Sequence, residues 1–260
     1  MLILIAVIPL TNLLVRGSFF VQSIDGKPTP GYSLSHLTQA ISNILTKNQS
    51  EIIWSTLIAS ASAILLLVVA ILFAWFARRS TKVGWLFLIS IALTAALPGP
   101  LIGTIVVKTF STFDNDLVIW LFDRTILPAV IAVFLFCWPI SSVLTWFSLK
   151  NTPVDTLEHA SLEGASQSSQ LLQLGVFGNL TSLVGCLLIT FAVCFGELSA
   201  SHMTLPPGID TVPRLALGWL HAGVNEMTAA LTIVTVTLIV GISVLGWSLV
   251  CLKESQNYRK

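Results

Sequence analysis

Ionisable side chains are scarce in this chain, so the few that fall in ordered patterns set its candidate chemistry. Of 260 residues 10% are charged and 55% hydrophobic, where a soluble globular domain carries about a quarter charged residues. The first pattern is the run EHASLEG, Glu158 to Gly164. Ahead of it, Thr152, Pro153 and Asp155 read as a helix start: a hydroxyl cap, a proline at the first helical position and an acid facing the positive helix end. Leu157, Ala160, Ser161 and Gly164 follow at i, i+3, i+4 and i+7, a narrow and nearly smooth face that lets another backbone come close. Gly164 suits the positive φ that ends such a helix, and Ser166 suits the cap of the next. Glu158 stands off that face, available to an ion-pairing partner. The chemistry is therefore recognition: a short helix inserted into a groove of a soluble protein, or else an ordinary interfacial hairpin between two spans.

Glu197, preceded by Gly196, lies about 17 residues and so roughly 25 Å along an apolar segment. An ionisable group there is costly and marks a pathway; it reads as a pore or gate residue, or as a hydrogen-bond anchor between helices. Pro98, Gly99 and Pro100, and separately Pro139, remove backbone hydrogen bonds inside apolar segments, with a static kink favoured over a hinge. His202, Asp210, His221 and Glu226 share one polar loop without metal-site spacing and read as solvated, so no metal site is expected. Cys137, Cys186, Cys194 and Cys251 fall in apolar stretches without CxxC spacing and read as small buried hydrophobes. The phosphate-binding GxxxxGK[ST] loop is absent. No cofactor is expected, any ATP dependence would rest with a partner, and the net charge of +1 gives no sign of nucleic-acid binding.

The elements that must position these residues are membrane spans. An abbreviated first span covers 1–21, with the start of its helix expected upstream; a signal peptide is the competing reading. An external segment, 22–51, carries an amphipathic surface helix near Leu34 to Leu45. A five-helix core, 52–252, then holds spans at Ile52–Ala77, Val83–Val107 with a break at Pro98, Ile126–Leu149, Leu180–Ser201 and Thr228–Leu252. The loops are 108–125, 151–179 and 202–227. This makes an all-α membrane protein of about six transmembrane helices in one transmembrane domain, 1–260. With both termini cytoplasmic, the inner segments hold seven basic residues and the outer ones six. The outer segments are much longer and carry most of the aspartates, which favours this orientation and places 151–179 in the cytoplasm.

EHASLEG resembles the cytoplasmic signature of ATP-binding cassette importer permeases, E-A-A-x-x-x-G, with Glu158, Ala160 and Gly164 at matching places and His159 for the middle alanine. Residues 194–213, CFGELSASHMTLPPGIDTVP, resemble a stretch of ferric-iron-type permeases, where a Gly-Glu pair is followed by a Pro-Pro-Gly turn and a Thr-x-Pro. The resemblance implies a type I importer permease fold in a bacterial inner membrane, with membrane lipid around it. It implies three partners: a cytoplasmic ATP-binding subunit gripping Leu157, Glu158, His159, Ala160, Gly164 and Ala165, an external substrate-binding protein, and a second permease half. It brings Gly196 and Glu197 forward as pathway or gate candidates, beside Pro98 and Gly99 of the broken segment, and ferric ion or another small solute as cargo. The sequence departs from the family at Leu174, Val176 and Phe177, where I-x-L-P is usual, and the loop is poor in basic residues after Glu163. A secondary transporter or another polytopic membrane protein independent of ATP is the alternative, though the sequence has no clear inverted repeat or buried charge pair.

Overall fold

The computed structural model describes residues 2–24, 27–223 and 225–257, and the protein is all-α in class, 84% helical. Among the described residues four helices are long and apolar enough to cross a membrane: Gln49–Ala77, Leu127–Lys150, Gln167–Phe195 and Glu226–Leu249. A fifth candidate is a bent pair, Thr81–Ala96 and Gly99–Ser111, turning by 106°. This is a multi-pass membrane chain by length and composition.

Two units make up the chain: Met1–Leu57 with Gly208–Val240, and Ile58–Pro207 with Gly241–Lys260. In the first, α1 (Leu2–Ser18) has 17 residues and so rises about 25 Å, short of a roughly 30 Å hydrocarbon core. The abbreviated first span expected at 1–21 falls on this helix. An antiparallel pair follows, β1 (Phe19–Ile24) with β2 (Lys27–Tyr32); β1 starts within the expected first span, and the rest of the pair lies in the expected external segment. Then α2 (Leu34–Lys47) takes the amphipathic stretch, capped by the Ser33 hydroxyl and burying Leu37, Ala40 and Ile44. The first turns of α3 (Gln49–Ala77) belong to this unit, and buried Ser55 accepts a 2.8 Å hydrogen bond from the backbone N–H of Val212. Val212 begins α11 (Val212–Ala222), so the expected 202–227 loop contains a helix, closed by Gly223 at φ 75°.

In the second unit the rest of α3 buries Ala59, Ala63, Leu66, Ala70 and Ala74, none more than 1% exposed, at spacings of three and four. Its exposed side carries Ile64, Val68, Leu72 and Phe76. Small residues inward and large apolar residues outward suit a helix packed in lipid, where close backbone approach replaces the hydrophobic drive. After α3 come α4 (Thr81–Ala96), α5 (Gly99–Ser111), α6 (Asp116–Arg124) and α7 (Leu127–Lys150). Two expectations change here. The stretch 83–107 is no straight span, because Pro98 and Pro100 cannot continue the α4 ladder. The loop 108–125 holds α6, capped by the Asn115 side chain onto the Leu117 N–H.

α7 is straddled by α4, α5 and α10 (Leu180–Phe195). Between α7 and α10 stand α8 (Val154–Leu162) and α9 (Gln167–Gln170), then a π-helical turn, Leu171–Val176, and a 3-10 turn, Phe177–Asn179. The helical path is unbroken from Gln167 to Phe195. The expected loop 151–179 therefore ends near Ser166, and its second half is the start of a span; without a proline near Val176, nothing breaks the helix. α12 (Asn225–Asn257) closes the chain.

Candidate functional site

The site grows from the end of α7. Asn151 and Thr152 leave the helix, and Pro153 stands as the N-cap of α8 with no side-chain cap bond. The expected hydroxyl cap at Thr152 is not made. Thr152 is buried and its Oγ1 accepts 2.8 Å from Asn179 Nδ2 instead, a use that pins the start of the loop to its far end. Asp155 does lie in the first turn of α8, beside its unpaired N–H groups.

Gly164 ends the helix at φ +82°. Its N–H bonds the Ser161 carbonyl at 3.1 Å, and the Ala165 N–H reaches the Ala160 carbonyl at 2.9 Å. These two bonds form a Schellman closure. Ser166 then caps α9 through its Oγ, which accepts from the Ser169 N–H.

No residue of α8 is buried. Leu157 and Ala160 are half-buried, while Glu158, His159 and Gly164 are exposed and Ala165 half-buried. The side turned away from the protein shows Val154, Glu158 and Leu162, the last 83% exposed. Of the small-residue face, Ser161 Oγ accepts 3.1 Å from Gln170 Nε2, so part of that face is taken up by the chain's own α9.

Charge at the end of α3 holds this loop, a role that charge counting for orientation missed. Arg78 donates to the carbonyls of Leu149 and Thr152, each at 2.7 Å. Arg79 donates to the Gln170 side-chain oxygen. Both guanidinium groups lie over the ring of buried Trp75, 6.0 and 5.4 Å from its centre. Burial, and after it the neighbouring Arg79 charge, lowers the Arg78 pKa from the ordinary arginine value; arginine nonetheless stays charged in proteins. One doublet thus clasps the loop at its entry and its exit. Gly175 makes room: a Cβ there would stand 2.9 Å from Trp75 Cζ3. Asn179 completes the lock, its amide also facing the Leu174 and Gly175 carbonyls at 3.0 and 2.9 Å. The sequence signal was present as Trp-x-x-Arg-Arg at the end of an apolar run.

The second set of expected residues also comes together. Glu197 is 7% exposed. One carboxylate oxygen accepts from the Ala200 N–H at 2.6 Å and the Ser199 hydroxyl at 3.0 Å, the other from the Ser201 N–H at 3.1 Å. The carboxylate thereby holds the turn that begins the 3-10 segment Ser201–Met203. Gly99 and Gly103 lie directly under that turn: added Cβ atoms would come within 2.0 Å of Ser199 Oγ and 2.6 Å of the Ala200 carbonyl oxygen. Pro98 caps α5, and Gly196 caps α10. These hydrogen bonds of Glu197 lie inside one turn and link no second helix.

His202, Asp210, His221 and Glu226 do not assemble; among the described residues no group of three or more His, Cys, Asp or Glu is placed to hold a metal. Asp210 pairs with Arg214 at 3.2 Å. Cys137, Cys186 and Cys194 are buried free thiols, and the side chain of Cys251 lies outside the described residues. No family model matches the sequence, and no curated protein matches it at a significant level.

Proposed function

We propose that the chain is a membrane-spanning permease subunit of a type I ATP-binding cassette importer, forming half of the pathway for a small solute, with ferric ion as the cargo its resemblance favours. In this reading six crossings put both termini in the cytoplasm of a bacterial cell, α1 serving as a short first crossing and the bent α4–α5 pair as another. A separate ATPase grips α8, an external binding protein delivers the solute, and a second permease half completes the pathway.

The observation that supports the reading most is α8 itself: an exposed helix bearing Glu158 and Leu162 outward, closed by Gly164, and tied by Arg78 and Arg79 to the end of a span. A grip on α8 would be felt by α3 and α7 through those bonds. Movement of an ATPase pair would then tilt the spans as rigid bodies, which is what alternating access needs.

The test is a pair of substitutions, Glu158→Ala with Gly164→Val. No atom lies within 4 Å of a Cβ at 164, so the cost is confined to the backbone conformation, about 1–2 kcal/mol. Membrane insertion is expected to survive, while co-purification of an ATPase and ATP-driven uptake are lost. Full uptake in the double variant would refute the coupling role.

A further inference from the structure

We propose that the groove between α4 and α7 binds one acyl chain of an anionic phospholipid, whose headgroup is held at the mouth by Lys82 and Lys150. A half-open cavity of about 330 Å³ lies there. Its walls are Gly84, Phe87, Leu88 and Ile91 of α4, at i, i+3, i+4 and i+7, with Trp146 and Phe147 of α7. The α4 wall runs about 10 Å along the helix axis. Gly84 leaves the lower end open, since it has no side chain and sits against the carbonyl of Ala77, where a Cβ would be 3.4 Å away.

Apolar walls do not select an occupant in a bilayer, because lipid tails are as apolar as they are. The mouth does. On α7 the stripe of Trp146 and Phe147 continues at i+4 and i+3 to Lys150, the last residue of the helix. Lys82 stands in the first turn of α4 at the same end, and both lysines are exposed. Neither enters an ion pair among the described residues. The sequence has no Asp or Glu from Thr81 to Phe113 or from Arg124 to Val154, so no acid on either helix offsets these charges. Ser80, the α4 cap residue, makes no side-chain cap bond, which leaves first-turn N–H groups at that end. A basic mouth over an apolar groove between two membrane helices fits an anionic headgroup and one of its tails.

The whole protein, delipidated in detergent, is titrated with phosphatidylglycerol or phosphatidylcholine brominated on one acyl chain, and tryptophan fluorescence is read. The brominated phosphatidylglycerol should quench more strongly and at lower concentration, and the difference should vanish in Trp146→Phe. Lys82→Gln and Lys150→Gln should each weaken the preference for the anionic lipid about fivefold, leaving quenching at saturating lipid intact. Gly84→Leu, which fills the groove, should remove the Trp146 signal while the remaining tryptophans still respond. Equal quenching by the two headgroups would overturn the proposal in favour of unselective lipid contact. Protection of Trp146 from both lipids would overturn it in favour of a protein occupant, such as a second copy of the chain.

Discussion

Replacing Arg78 by alanine should release the loop that carries α8 without unfolding the spans. Its guanidinium donates two charge-assisted bonds, to Leu149 and Thr152. Such bonds contribute about 1.5–3 kcal/mol each, and the low end applies at a partly exposed site. The Leu149 carbonyl also accepts from the Thr152 N–H at 3.1 Å, so it is not orphaned by the change. The two bonds together give about 3 kcal/mol, and the loss should appear as local opening, because α8 buries no residue of its own. At 1.4 kcal/mol per decade, amide hydrogen exchange of 151–166 should rise on the order of 100-fold. Lysine can reach one of the two carbonyls but lacks the fork, so Arg78→Lys should recover about half of this, to on the order of tenfold. Arg79→Ala removes the Gln170 bond and the contact with the Trp75 ring, and should act on the start of α9. The clasp is refuted if Arg78→Ala leaves exchange of 151–166 within about twofold of the parent, well inside one decade, or if the lysine variant is no better than alanine.

Gly175→Val would press a branched side chain into the Trp75 ring, whose nearest atom is 2.9 Å from a Cβ; overpacking of about 1–3 kcal/mol should lower the thermal midpoint in detergent. Asn179→Ala removes the amide shared by Thr152 Oγ1 and two carbonyls, and should cost about 1–3 kcal/mol, measured by chemical denaturation. For Glu197→Gln, one acceptor oxygen facing the Ala200 or Ser201 N–H becomes a donor group. Loss of about 1.5–3 kcal/mol at this turn is expected, with faster proteolysis at 198–204; unaltered stability together with altered uptake would instead support a gate.

The positions of Gly164 and Ser166 were legible because their roles are local: a positive φ needs glycine, and a hydroxyl beside a free N–H makes a cap. Both hold in the structure. Thr152 misled for the same local reason. Its hydroxyl would serve as a cap in isolation, but Asn179 lies 27 positions away and offers a buried donor, and tertiary context decides between the two. The break at Pro98 was legible as an interruption, yet not as a 106° turn, since proline forbids a straight ladder without fixing the new direction. Trp-x-x-Arg-Arg marks the doublet in the sequence but not its partners, because Leu149, Thr152 and Gln170 meet Arg78 and Arg79 only in the folded chain.

This division also separates two kinds of residue in the loop. Glu158 and Leu162 are exposed and face outward, so under the proposed function their identity would be set by the subunit that grips α8. Thr152, Gln170, Gly175 and Asn179 are consumed by internal contacts, and their identity is set by the clasp. Substitutions of the first kind should therefore change partner affinity with the loop's exchange unaltered. Those of the second kind should raise loop exchange first and weaken partner binding only through it. A partner that binds the ordered loop would then restore protection in Asn179→Ala but leave Glu158→Ala no more protected than the free protein. The reverse pattern would mean that the exposed face of α8 is not the surface that is gripped.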